Sequence, residues 1–215
     1  MERRIYYMIN TIQLRKMLGW LGMLLPWIVA ALYMIFEVGR FAFPQSISAT
    51  YYESSCITPF MIILGSAGIL LICYEGYDKQ DNIICTIAGF FGLGICIFPC
   101  DNVAFDRVGT FQLPTTVSHW LHMIFAIAFF VLLSYNSLFL FTKSSGEMTK
   151  EKKIRNIIFR VCGIGMIASF VLIIPLSLIN YGSTFWLVEA IALMFFGISW
   201  LTKSQCYSWL FKDKK

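Results

Sequence analysis

Six apolar blocks divide this 215-residue chain, running approximately over 17–36, 57–74, 83–99, 119–141, 157–179 and 184–201. Each is about 17–23 residues long, enough at about 1.5 Å rise per residue to cross, or nearly cross, a hydrocarbon layer about 30 Å thick. Backbone amides in such a layer must find partners within the chain, so each block is predicted to be a helix. The expected fold is therefore all-α, an integral membrane bundle of six transmembrane helices. Residues 1–215 form a single domain, flanked by a short interfacial N-terminal arm (1–16) and a basic C-terminal tail (203–215). The start of the chain also has signal-peptide features, with Arg3 and Arg4 before an apolar run. The length of that run, with Arg15 and Lys16 against it, favours a retained first helix.

The connecting segments carry the seventeen Lys and Arg residues unevenly. All but Arg40 and Arg107 fall in the N-terminal arm, the second and fourth loops, the entrance of the fifth block (Arg160) or the tail, which alternate to one side. This is the positive-inside pattern, and it predicts an N-in/C-in topology in a cell membrane, inner or plasma. Hydrophobic residues make up 58% of the chain and charged residues 13%, with a mean hydropathy of +0.71. A soluble domain carries about twice that charge. The net charge of +5 lies along one membrane face, where anionic headgroups meet it, so membrane lipids are the expected partners and nucleic acid is not.

Aromatic residues fit the same scheme. Trp20, Trp200 and Trp209 are expected near the inner interface and Trp120 and Trp186 near the outer one, with Trp27 mid-span. The third block is rich in glycine (Gly89, Gly92, Gly94), which predicts close helix contacts and the most central position in the bundle. The turn 74–82 reads as a tight connection with an Asp or Asn cap for the third helix. The outer loop 37–56, aromatic and nearly uncharged, is expected to fold over the bundle mouth. Among seven cysteines, Cys56 and Cys100 fall near outer helix ends, and whether they pair stays open.

Few residues offer chemistry. Asp101 follows the third block. His119 and His122, the only histidines, open the fourth on nearly one helix face. Glu189 lies about five residues into the sixth, where an ionised carboxylate is costly and calls for a partner. Topology brings these four toward one outer mouth. As a polar binding pocket they would serve a lipid or a partner protein, with no cofactor. As a metal site, two imidazoles and two carboxylates would suit zinc and membrane hydrolysis. A proton-coupled transporter is a third reading, although polar residues toward the inner face are few beyond Ser169 and Ser177. Whether the chain is an enzyme stays undecided.

Ser46-Ile47-Ser48, Gly89-Phe90-Phe91-Gly92, Phe98-Pro99-Cys100-Asp101 and then His119 or His122 follow one another along the chain. In this order the chain resembles uncharacterised six-helix bacterial membrane proteins with a domain of unknown function, themselves similar to the Frag/DRAM/Sfk membrane proteins. The resemblance implies a multi-pass fold and makes Asp101, with His119 or His122, the polar signature. It implies no activity. The chain is less similar to ceramidase and adiponectin-receptor-like hydrolases, lacking their His-x-x-x-His pair, third histidine and seventh helix. A retinal-type chromophore would need a lysine inside the sixth helix, and none falls within 184–201.

Overall fold

The computed structural model describes residues 2–144, 146, 148–177 and 183–206. Among them are six α-helices. α1 (Glu2–Leu32) continues into a π-helical turn, Tyr33–Val38. A short 3₁₀ helix, Ser48–Tyr52, precedes α2 (Ile57–Ile72) and α3 (Lys79–Ile97). A two-residue hairpin, β1 (Arg107–Val108) with β2 (Leu113–Pro114), leads into α4 (Thr115–Tyr135) and its π-helical extension Asn136–Leu140. α5 (Lys150–Ser177) and α6 (Thr184–Lys203) complete the bundle.

Five of these helices are long and apolar enough to cross a membrane, and the chain is an integral membrane protein. α2, with 16 residues, is the short one. It packs along α1 over its whole length. Cys56, at its start, places its thiol 3.5 Å from the Val29 carbonyl, while Tyr74, just past its end, takes a 3.2 Å hydrogen bond from Arg15. α2 thus covers the stretch of α1 between Arg15 and Val29, about 21 Å at the usual rise.

Each helix packs on its neighbours in chain order, and α6 closes on α1, so the six form a ring. No helix occupies the middle. This corrects the expectation of a central third helix: α6 is the most enclosed of the five candidate spans. The glycines act where backbones meet. A methyl group on Gly89 would lie 2.5 Å from the Gly68 carbonyl of α2, and one on Gly197 would lie 2.7 Å from the Gly19 carbonyl of α1. Small residues at such contacts drive helix association where lipid removes any hydrophobic advantage.

The half of the ring's lumen near Arg15 and Lys203 is filled by Tyr74, Phe141, Phe196 and Trp200, all almost wholly buried. Trp200 meets Tyr74 and Phe141 edge-on at 5.0 and 5.1 Å. Trp200 is therefore a core residue and no part of an aromatic belt. Trp186 is buried as well, whereas Trp20 and Trp120 are exposed on the outside of the bundle, as expected of belt residues. Trp209 and most of the tail lie outside the described residues.

The backbone of the N-terminal arm runs continuously into α1. α6 extends to Lys203, which is turned inward and buried. At the α2–α3 turn the cap is Asp78, whose carboxylate accepts from the Asp81 amide at 2.9 Å; Asp81 and Asn82 instead tie back to the Tyr77 and Gly76 amides. The turn is clipped to the end of α4 by a 2.7 Å ion pair from Lys143 to Asp78. Both partners are exposed. The hydrogen bond from Lys143 holds the Asp78 carboxyl below its ordinary value, and the same bond raises Lys143.

Candidate functional site

The other half of the lumen is open. A cavity of about 490 Å³ occupies the centre of the ring, and every helix contributes to its wall. Leu25, Leu64, Ile95, Phe129, Phe170 and Leu193 make it apolar in depth, one from each helix. Its polar groups gather at the mouth, and they include Asp101, His119, His122 and Glu189. A largely apolar cavity of this size with few polar groups has the form of a small-molecule site.

The four side chains form two separate constellations. His119 Nδ1 lies 2.8 Å from Asp101 Oδ1 at the rim, where Asp101 is 60% exposed. Deeper in, His122 is almost wholly buried. Its Nδ1 lies 2.8 Å from the Phe98 carbonyl, which can only accept, so this nitrogen carries a proton. Its Nε2 lies 3.1 Å from Ser48 Oγ, and Ser48 Oγ also lies 3.4 Å from Glu189 Oε1. The other Glu189 oxygen accepts the Ile47 amide. Ser48 thus sits between an imidazole and a carboxylate, and its one hydroxyl proton serves only one of them at a time.

Why the loop reaches that position follows from its local structure. The 3₁₀ helix Ser48–Tyr52 leaves unpaired amides at its N-terminus. The Ser46 hydroxyl accepts from the Ala49 amide at 2.8 Å, and the Glu189 carboxylate takes the Ile47 amide. Glu189 therefore has the partner its depth demands, supplied by the loop between α1 and α2. Side contacts complete the strap. The Trp186 amide donates to the Gln45 carbonyl at 3.0 Å, Ser183 Oγ donates to the Phe43 carbonyl at 2.9 Å, and Phe43 stacks on Trp186 at 4.2 Å. On the far side Tyr52 stacks on Phe105 and donates to the Cys100 carbonyl. The loop lies across the mouth of the cavity and lines it from Gln45 to Ala49.

Among the described residues no three His, Cys, Asp or Glu side chains come together in a way that would hold an ion. Asp101 and His119 pair with each other, while His122 and Glu189 engage the Phe98 carbonyl and the strap. Cys56 and Cys100 are both free thiols. Burial, reinforced by the charges of Glu189 and Asp101, pushes the Cys100 thiol up to about 12.

Sequence reasoning named the four mouth residues and missed the one between them. Ser48 belongs to the Ser46-Ile47-Ser48 motif, yet a serine in a loop gives no sign of the helix it will touch. Deeper polar contacts also carry no sequence signal: Ser137 and Ser199 hydroxyls lie 2.7 Å apart, and Asn136 Nδ2 lies 3.3 Å from Cys85 Sγ.

No protein-family model matches the chain, and no curated protein or solved structure matches it. The resemblance to the six-helix membrane proteins rests on the short motifs alone.

Proposed function

We propose that this chain is a six-span protein of the cell membrane, N-in/C-in, whose outward-facing cup binds a membrane lipid by its acyl chain. The single observation that carries the reading is the cavity: about 490 Å³, apolar below, polar at the rim, and strapped by its own loop. An acyl chain suits the Leu, Ile and Phe wall, while Asp101, His119 and Ser48 offer hydrogen bonds to a head group at the mouth. The six-span topology is supported by the antiparallel packing of α2 on α1, in which Cys56 at the start of α2 meets Val29 and Tyr74 past its end meets Arg15. It puts Arg15, the Lys143–Arg155 segment and Lys203 at one end and the cup at the other. The aromatic plug of Tyr74, Phe141 and Trp200 beneath the cup favours a binding cup over a proton-coupled transport route.

Native mass spectrometry of the full chain in gentle detergent tests the proposal. The wild-type chain should retain a lipid. Ala126→Phe, which places a ring in the cavity, should displace it, and His122→Ala and Glu189→Ala should weaken retention. Equal retention in all three variants would place any bound lipid elsewhere and overturn the reading. Stoichiometric zinc, in protein purified without chelators, would instead revive the hydrolase.

A further inference from the structure

Ser48 and His122 stand at the level where the cup changes character. The wall is Leu, Ile and Phe in depth, and the polar groups Glu189, His119 and Asp101 gather with them at the mouth. A lipid seated in the cup, the reading on which this inference rests, puts its chain in the apolar depth and its head group outside. Its ester linkage, where chain and head group join, then comes to the level of Ser48.

The geometry around that hydroxyl is specific. His122 Nδ1–H is committed to the Phe98 carbonyl at 2.8 Å, which leaves Nε2 of the neutral ring as an acceptor. That nitrogen lies 3.1 Å from Ser48 Oγ, within reach for proton transfer. The competing acceptor, Glu189 Oε1, is farther away at 3.4 Å, and the other oxygen of that carboxylate takes the Ile47 amide. Ser48 is half-buried and lines the cavity, so its hydroxyl is open to a bound ligand. A hydroxyl, an imidazole to receive its proton and a fixed carbonyl to orient the imidazole are the parts of an activated nucleophile.

We propose that Ser48 is a nucleophile and His122 its general base, and that the cup hydrolyses a carboxylic ester of a membrane lipid. Ser48 Oγ attacks the ester carbonyl carbon while its proton passes to His122 Nε2. The tetrahedral adduct collapses, the ester C–O bond breaks, and His122 gives the proton to the departing alcohol, leaving the acyl group on Ser48. Water from the mouth then attacks the acyl carbon and gives a proton to His122 Nε2. The bond to Ser48 Oγ breaks, Ser48 takes that proton back, and the fatty acid leaves. One ester and one water are consumed, and one alcohol and one acid form. For the oxyanion the mouth offers His119, one turn earlier on α4, with its Nδ1 held 2.8 Å from Asp101.

The test uses the purified full-length chain and two probes. Hexadecyl fluorophosphonate phosphonylates an activated serine and releases fluoride, and intact mass with peptide mapping locates the adduct. Wild type should gain one phosphonyl group at Ser48, and Ser48→Ala none. His122→Gln keeps a donor for the Phe98 carbonyl but takes up no proton, so labelling should slow about a hundredfold or more. In nanodiscs of phosphatidylglycerol, wild type should release fatty acid, while Ser48→Ala should retain the lipid and release none. Ser54, which bonds Glu37 outside the cavity, supplies the control, and Ser54→Ala should label and hydrolyse like wild type. Should His122→Gln not fold, the wild-type adduct and the Ser48→Ala hydrolysis decide. The two readings fail separately. Lipid retained by wild type with Ser48 unlabelled would overturn the nucleophile and keep the cup. Ser48 labelled as fast in Ala126→Phe as in wild type would count against the cup and support the nucleophile. Equal labelling in His122→Gln and wild type, or equal fatty-acid release in Ser48→Ala and wild type, would also overturn the proposal.

Discussion

Glu189 and Ser48 show how much of this protein's behaviour depends on single polar atoms in an apolar setting. The carboxylate holds the Ile47 amide and faces the Ser48 hydroxyl, so it fixes the strap while lining the cup. Glu189→Ala leaves a largely enclosed amide without an acceptor, at a cost of about 1–3 kcal/mol. Hydrogen exchange should then accelerate across residues 46–52 and leave the Lys79–Ile97 helix unchanged. Glu189→Gln keeps one carbonyl acceptor and should restore most of the protection. If the strap amides exchange as slowly in Glu189→Ala as in wild type, the stacking of Phe43 on Trp186 holds the loop and the carboxylate is free for other work.

At the scale of elements, the contacts to watch are those where backbones touch. The Gly68–Gly89 crossing has no room for a side chain, so Gly89→Ala must push α3 away from α2. Overpacking of this kind costs about 1–3 kcal/mol. Gly65, on the same α2 helix, faces open space, with nothing within 4 Å of where a methyl group would stand. Gly65→Ala should therefore leave the unfolding midpoint unchanged or slightly raised. Comparable losses in both would mean that glycine conformation matters more than the crossing. The clip between Asp78 and Lys143 makes a different prediction. Its Asp78 share is present above 3.8, the ordinary carboxyl value, and lost as pH falls through the lower folded value. Its Lys143 share is present below 10.5 and lost as pH rises through the higher folded value. Protection factors of the 76–82 amides should therefore be flat between those limits and fall outside them. Because both groups are exposed, high salt should weaken the effect. A Lys143→Met chain with the same profile as wild type would assign the pH dependence to another group.

For the whole molecule the decisive question is orientation. In a cysteine-free background on intact cells, Gln45→Cys and Thr110→Cys should react with a membrane-impermeant maleimide. Lys79→Cys and Met148→Cys should react only after permeabilisation. Labelling of position 79 from outside would mean that α2, the shortest helix, does not span. The ring would then need a different relation to the bilayer, and the cup would no longer be assigned to the outer face.

Much of the architecture was legible in the sequence because it depends on one-dimensional quantities. The lengths of the apolar blocks anticipated six helices, all of them spanning, where the structure has six of which five are long and apolar enough to span, and the spacing of charged and polar residues brought Asp101, His119, His122 and Glu189 to one mouth. Facing was not legible. A residue such as Trp200, Trp186 or Leu193 is equally apolar whether it meets lipid or protein, so hydropathy carries no record of the side it turns inward. Only the tertiary structure could decide that the ring has a cup at its centre instead of a helix, that Ser48 crosses to Glu189, and that Lys203 is drawn between the rings of Tyr77 and Phe141. Each of these is a meeting of segments far apart in the chain, settled by the way the closed ring packs.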